Sequence, residues 1–274
     1  MTTEDALLLA VLADPDDDAP RLIYADWLDE NGDGERAEFI RVQIALARTP
    51  EGRRPDQQLV LRERWLEKTH GARWAAALNG RVLNFAFRRG FVEEVVMDAP
   101  DFLTRGEEIF EAAPVRAVRL MRLSHFSPRL AVCHTLEHLA WLDIRFERLR
   151  PAHLAVLLAS PHLRSLRALG LAGNNLGQSG LSVLTAAPIL GSLTRLELWT
   201  NHLYNTGATQ LAACPYLTGL KVLDLRVNGI GIEGGNALAA APCLGNLELL
   251  DLRENFAASV TPALRERFGD RVRI

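Results

Sequence analysis

The 274-residue sequence predicts an α/β solenoid preceded by a small α-helical module, and three observations point that way. A frame of leucines and one asparagine returns every 27 residues through the second half of the chain. Within the frame, apolar residues alternate at strand period, and the remainder of each unit is long enough for a helix. Charge divides the chain too: residues 1–40 carry 12 acidic and 2 basic side chains, net −10, and the other 234 carry 22 and 29, net +7. That split suits an acidic helical module beside a more basic body.

Composition narrows the class. At 48% hydrophobic and 24% charged, the chain has the balance of a soluble protein of one or two domains. No apolar stretch approaches the roughly 20 residues that span a bilayer. The opening Met1-Thr2-Thr3-Glu4-Asp5 is acidic where a secretion signal would be basic. Cys133, Cys214 and Cys243 are widely spaced and form no CxxC pair, so a reducing cytoplasm is expected. A net charge of −3 argues against nucleic acid as a partner.

Residues 1–55 are expected to form the helical module and its linker. Thr3 is placed as the cap of a first helix, with Glu4 and Asp5 in its opening turn and Leu7, Leu8 and Val11 on its apolar face. After the turn Asp14–Pro20, a second helix carries Leu22, Ile23, Trp27 and Leu28. Asn31-Gly32-Asp33-Gly34 breaks it, and a third helix carries Phe39, Ile40, Val42 and Ile44. Thr49–Pro55 is the linker. Residues 56–81 form an adaptor helix, read as Gln57–Leu78, with Leu59, Trp65, Leu66 and Trp74.

Residues 82–274 hold the repeats. The frame runs Leu166, Leu169, Leu171, Asn174, Leu176; then Leu193, Leu196, Leu198, Asn201, Leu203; then Leu220, Leu223, Leu225, Asn228, Ile230; then Leu247, Leu250, Leu252, Asn255, Phe256. One unit earlier stand Leu139, Leu142, Ile144 and Leu149, with Glu147 in the asparagine slot. Gly180, Gly207 and Gly234 recur behind the asparagines, and so do Leu184, Leu211 and Leu238, then Pro188, Pro215 and Pro242. Each unit therefore predicts a strand, a turn held by the Asn side chain, and a helix ended by proline. Val115, Val118, Leu120 and Val92, Val95, Met97 are two degenerate strands ahead of five good units. A cap closes the array at about 261–274: Thr261-Pro262 starts a helix, Gly269 stops it, and Val272-x-Ile274 is a last strand.

This frame resembles the leucine-rich repeat family in its longer, ribonuclease-inhibitor-like variety. The resemblance implies a curved arc with parallel strands inside and helices outside. The run Pro15–Asp33 with Arg36–Gln43 resembles the bacterial repeat-companion domain, which accompanies repeat arrays and implies no particular activity.

Two apparent metal motifs lose their force in context. Asp29-Glu30-Asn31-Gly32-Asp33-Gly34 matches the first half of an EF-hand loop, but Ile40 stands where the bidentate Glu belongs, so a tight turn with Asp33 as helix cap is expected. His134-Thr135-Leu136-Glu137-His138 fits an inverted zinc-peptidase pattern. In the repeat frame, however, both histidines fall in the connection that leads into a strand. A metal-dependent hydrolase is accordingly the remote alternative, and no catalytic residue, metal or cofactor is assigned.

The candidate site is the sheet face that the helices leave open. Side chains flanking the buried leucines form columns there. Trp141 and Arg195 belong to the first column, Asp143, Glu197, Asp224 and Asp251 to the second, and Arg145, Trp199, Arg226 and Arg253 to the third. Ala168, Gly170 and Ala172 leave a notch between the tryptophans. Paired tryptophans beside arginines are the composition of binding hot spots. The expected function is non-enzymatic binding of a protein or peptide, by a monomer or a subunit of a hetero-complex. The alternative is a two-ended adaptor that recruits a second partner through its acidic helices.

Overall fold

A computed structural model describes residues 2–49, 53–123, 125–256 and 262–273. Among them are eleven α-helices and nine strands, mostly parallel, in two compact units: Met1–Met97 with Thr104–Ala117, and Asp98–Leu103 with Val118–Ile274. The fold is α/β. No helix among the described residues is long and apolar enough to cross a membrane.

The first unit begins with α1 (Thr3–Ala13), α2 (Ala19–Glu30), α3 (Gly34–Ala47) and α4 (Gln57–Trp74). The cap of α1 is Thr2, not Thr3: its hydroxyl accepts from Asp5 N while the Asp5 carboxylate accepts from Thr2 N, closing a capping box. The adaptor helix is shorter than expected and gives way to a 3-10 turn at Ala76–Leu78. Val11, Ala25, Leu28, Ala37, Ile40 and Ile44 form the core with Tyr24 and Phe91.

Phe91 belongs to a hairpin. Strands β1 (Asn84–Arg88) and β2 (Phe91–Asp98) pair antiparallel across Arg89 and Gly90, both at positive φ. The Val92, Val95, Met97 segment, read as a degenerate strand ahead of the good units, is a strand of the nine-stranded sheet and also pairs antiparallel with β1. Gly90 touches α3 so closely that a Cβ there would lie 2.7 Å from the Ile40 Cα. Gln43 locks the turn: its Oε1 accepts from Gly90 N at 2.8 Å. Arg21, fully buried on α2, pairs with Glu93 at 2.9 Å and donates to Pro15 O at 2.7 Å. Helix α5 (Ala99–Ala112) follows the hairpin.

The second unit alternates short strands and helices: β3 (Ala117–Met121), α6 (Ser127–Ala131), β4 (Trp141–Asp143), α7 (Pro151–Leu158), β5 (Ala168–Gly170), α8 (Gly177–Thr185), β6 (Arg195–Glu197), α9 (Tyr204–Ala212), β7 (Val222–Asp224), α10 (Ile232–Ala240), β8 (Leu249–Asp251), α11 (Pro262–Phe268) and β9 (Val272–Arg273). From β4 to β8 the strands pair parallel in chain order and in one register: Leu142, Leu169, Leu196, Leu223 and Leu250 stand side by side, all fully buried. Strand β9 continues the ladder beside β8.

The recurrent glycine has a packing reason. A Cβ on Gly180, Gly207 or Gly234 would come within 3 Å of the Leu176, Leu203 or Ile230 side chain four residues earlier. The recurrent proline does not end the α-helix, which stops three or two residues before it. Pro188, Pro215 and Pro242 instead open 3-10 turns that lead into the next strand, where a missing N–H costs nothing. At the end of the chain, Gly269 (φ 53°) follows α11 as expected. Thr261 and Ile274 lie outside the described residues, as do Pro50–Gly52 of the linker. Phe256, placed in the apolar slot after Asn255, is 63% exposed. It precedes that slot by one residue.

Candidate functional site

Strands β4 to β8 are each only three residues long because the chain must turn at once, and the turn after them is the same in every unit. The residue before the asparagine slot is left-handed each time: Phe146, Gly173, Thr200, Val227 and Glu254 have φ between 54° and 66°. Only one of the five is glycine, so four units carry the strain of a side chain in that region.

Asparagine compensates. Asn201 Oδ1 accepts from Asn174 N and Leu176 N at 3.1 Å, and its Nδ2 donates to Leu171 O at 2.9 Å and Leu198 O at 3.0 Å. Asn174, Asn228 and Asn255 repeat this pattern, each bonding its own turn to the preceding one. Glu147, in the same slot, keeps half of it: Oε2 accepts from Leu123 N at 2.7 Å.

This stack of turns fixes the strand residues that face away from the leucines. The carboxylates of the second column are less open than alternation alone suggests. Asp143, Asp224 and Asp251 are 5%, 8% and 4% exposed. Neighbouring strands lie only about 4.8 Å apart, so the column shields itself, and each aspartate is covered by the arginine two residues on. Asp224 takes Arg226 Nε at 2.9 Å and Nη2 at 2.6 Å, and Asp251 takes Arg253 Nε at 2.9 Å. Asp143 takes Arg145 in the same way, through Nε at 2.5 Å. Burial pushes the Asp251 carboxyl up, and the Arg253 side chain and backbone N–H, with Arg226, more than reverse this and hold it below the usual range. A Cβ at Gly170 would meet Asp143 Oδ1 at 2.9 Å, so the notch beside it is floored by backbone.

Glu197 differs. Trp199 occupies the position where the three aspartate-bearing strands have arginine, and Glu197 pairs instead with Arg195 at 3.5 Å. Burial raises the Glu197 carboxyl, only partly opposed by Arg195 and Arg145. It is the least compensated acid of the column.

Trp199 is half-buried, with the Arg226 guanidinium 5.6 Å from its ring and the Phe146 ring edge-on at 5.2 Å. Phe146 is 51% exposed and lies over Gly173, where an added Cβ would sit 2.2 Å from its ring. Phe146 belongs to none of the columns that alternation predicts; the glycine 27 positions later is the signal that marks it. Trp141, two strands from Arg195, is also half-buried. Trp199, Phe146 and Arg226 therefore form one aromatic and cationic patch, with Glu197 beside it and Trp141 across the Gly170 notch.

The metal motifs resolve into ordinary contacts. Asp33 caps α3 and takes Arg73 at 2.9 Å, Asp29 takes Arg41 at 2.6 Å, and Asn31 donates to Trp27 O at 2.8 Å. Calorimetric titration with calcium is expected to reveal no site tighter than about millimolar, the weak end for EF-hand loops. A micromolar isotherm removed by Asp29→Ala would contradict that. His134–His138 forms a 3-10 turn in the slot of Pro188–Ser192, and Glu137 bonds His162 Nδ1 at 2.6 Å. Among the described residues no three His, Cys, Asp or Glu side chains converge as metal ligands.

A scan against protein-family models gives no match to this chain, and a search of curated proteins gives none.

Proposed function

We propose that this chain is a non-enzymatic interaction protein: a leucine-rich-repeat solenoid of the ribonuclease-inhibitor-like type, preceded by a repeat-companion module, that binds a protein or peptide on its concave face. The 27-residue register of strands and asparagine turns supports the repeat assignment. One observation carries the functional reading. Trp199, Phe146 and Arg226 hold a half-exposed patch on a rigid ladder, where nothing in the leucine core requires aromatic side chains. Rigid aromatic anchors lose little entropy on binding. Glu197 adds a specificity element, because a basic side chain of the partner would supply the compensation it lacks. Widely spaced cysteines suit work in the cytoplasm.

The two-ended adaptor has less support. Several acids of the first unit are tied to its own arginines: Asp16 to Arg116 at 3.1 Å, Asp18 to Arg48 at 2.9 Å, and Asp26 and Asp29 to Arg41.

The test is affinity capture followed by titration of the purified partner. Trp141→Ala/Trp199→Ala should weaken binding by about 2 kcal/mol or more, roughly 30-fold, with the melting curve still cooperative. Undiminished affinity in that variant would refute the concave-face reading.

A further inference from the structure

A buried cation in the first unit, Arg36, makes no ion pair with any acid among the described residues, and it borders a cavity. Arg36 lies in the first turn of α3, where the helix dipole disfavours positive charge. It is 7% exposed, and its Nη1 has no hydrogen-bond partner. Its guanidinium sits among aromatic rings, with centroids of Trp74, Phe91, Phe87 and Phe39 at 4.8, 5.1, 5.6 and 5.9 Å. Burial lowers it to about 10. Cation–π contacts return part of the desolvation cost, each about 0.5–2 kcal/mol, but they satisfy no N–H.

The cavity next to it measures about 330 Å³. Arg36 and Arg73 line it together with Trp74, Phe91 and small apolar residues such as Ala75 and Ala113. The acids on its wall are engaged: Asp33 takes Arg73 at 2.9 Å, and Glu4 takes the Tyr24 hydroxyl at 3.0 Å. Burial pushes Tyr24 up to about 12, so that hydroxyl stays a donor.

We propose that this cavity is a binding site for a monocarboxylate with an apolar body, its carboxylate held by Arg36 and its body lying against Trp74, Phe91 and the alanines. A carboxylate gives Arg36 the ion pair and the acceptor it lacks, in the planar geometry a guanidinium prefers. The walls set the rest of the choice. Two fixed acids disfavour a dianion such as phosphate, and the apolar part of the lining, Leu8, Leu28, Trp74, Phe91 and the alanines, rewards a hydrocarbon portion. The volume suits a small organic acid or the last residue of a peptide. This site lies in the first unit and is independent of the repeat face.

Titration of the full chain with phenylacetate, its neutral amide phenylacetamide, N-acetyl-glycyl-phenylalanine and inorganic phosphate tests the assignment by calorimetry and by the arginine Nε–H signals. Saturable binding of phenylacetate or of the peptide acid is expected, with the amide at least about tenfold weaker, one charge-assisted pair being worth that much. The tighter of the two acids names the source. Arg36→Leu should abolish the response yet fold at least as stably as the parent, because an apolar side chain suits the aromatic surround better than an unpaired charge. Arg73→Ala, at the exposed rim, should weaken binding without unfolding risk. Equal binding of acid and amide, binding of phosphate alone, no binding of either acid, or unchanged binding in Arg36→Leu would each overturn the proposal.

Discussion

Leu225→Asp is expected to abolish cooperative folding of the second unit at neutral pH. Leu225 is fully buried just after β7, and its carbonyl accepts from the Asn228 and Asn255 side chains at 3.0 and 2.9 Å. A carboxylate at this point stands in the same row of the repeat as Leu198 and Leu252, both buried. Burying it unpaired costs several kcal/mol, a large share of the roughly 5–15 kcal/mol that stabilises a domain. Each leucine row is continuous with its neighbours, so the damage cannot stay within one unit. Val227→Asp is the control. Val227 is left-handed and partly exposed, and aspartate tolerates both conditions, so that variant should melt within a few degrees of the parent. Circular dichroism melts of the two variants decide the matter. A native-like melt of Leu225→Asp, or equal damage from Val227→Asp, would show the register to be wrong.

The contrast between residues 225 and 227 also marks what was readable in the sequence. The leucine frame was legible because burial against identical neighbours forces the same residue type at the same spacing. The asparagine was legible for a similar reason, as the one polar residue that can satisfy four backbone groups at a turn. The β1–β2 hairpin was not legible. Val92, Val95 and Met97 were readable as a strand, but the preceding strand with Phe85 and Phe87 was not, because periodicity does not distinguish a parallel neighbour from an antiparallel one. On the candidate face, alternation placed Asp143, Asp224 and Asp251 correctly beside the leucines. Each is covered by the arginine two residues on, the self-neutralising Asp and Arg ladder that adjacent rows of the two residue types allow, and side-chain rotamers and strand spacing decide that outcome. Arg36 was invisible as a feature: one arginine in a helix reads as surface until the rings that surround it come together from four separate segments.

Asn201→Ala is expected to cost about 2–6 kcal/mol, the second largest effect, through hydrogen bonds alone. The Asn201 side chain is buried and receives two N–H groups, Asn174 N and Leu176 N, which make no other hydrogen bond among the described residues. The carbonyls it serves are less exposed to loss, since Leu171 O also takes Asn174 Nδ2 and Leu198 O also takes Asn228 Nδ2. The cost therefore comes from two orphaned buried donors, each about 1–3 kcal/mol, and hardly from the acceptors. Asn201→Asp separates this account from a packing effect. Aspartate keeps the acceptor for both N–H groups but turns a charged oxygen toward the carbonyls of Leu171 and Leu198, where Asn201 donated. Burial and these carbonyls favour its neutral form, so its folded pKa lies above the unfolded value. Stability of Asn201→Asp should then be greatest below the unfolded carboxylate range and fall as pH rises through the folded pKa. Asn201→Ala should instead run parallel to the parent at every pH. Urea melts of the three proteins between acid and neutral pH test this. Equal losses at every pH for Ala and Asp would mean that side-chain volume, and not the hydrogen bonds of the turn, holds successive units together.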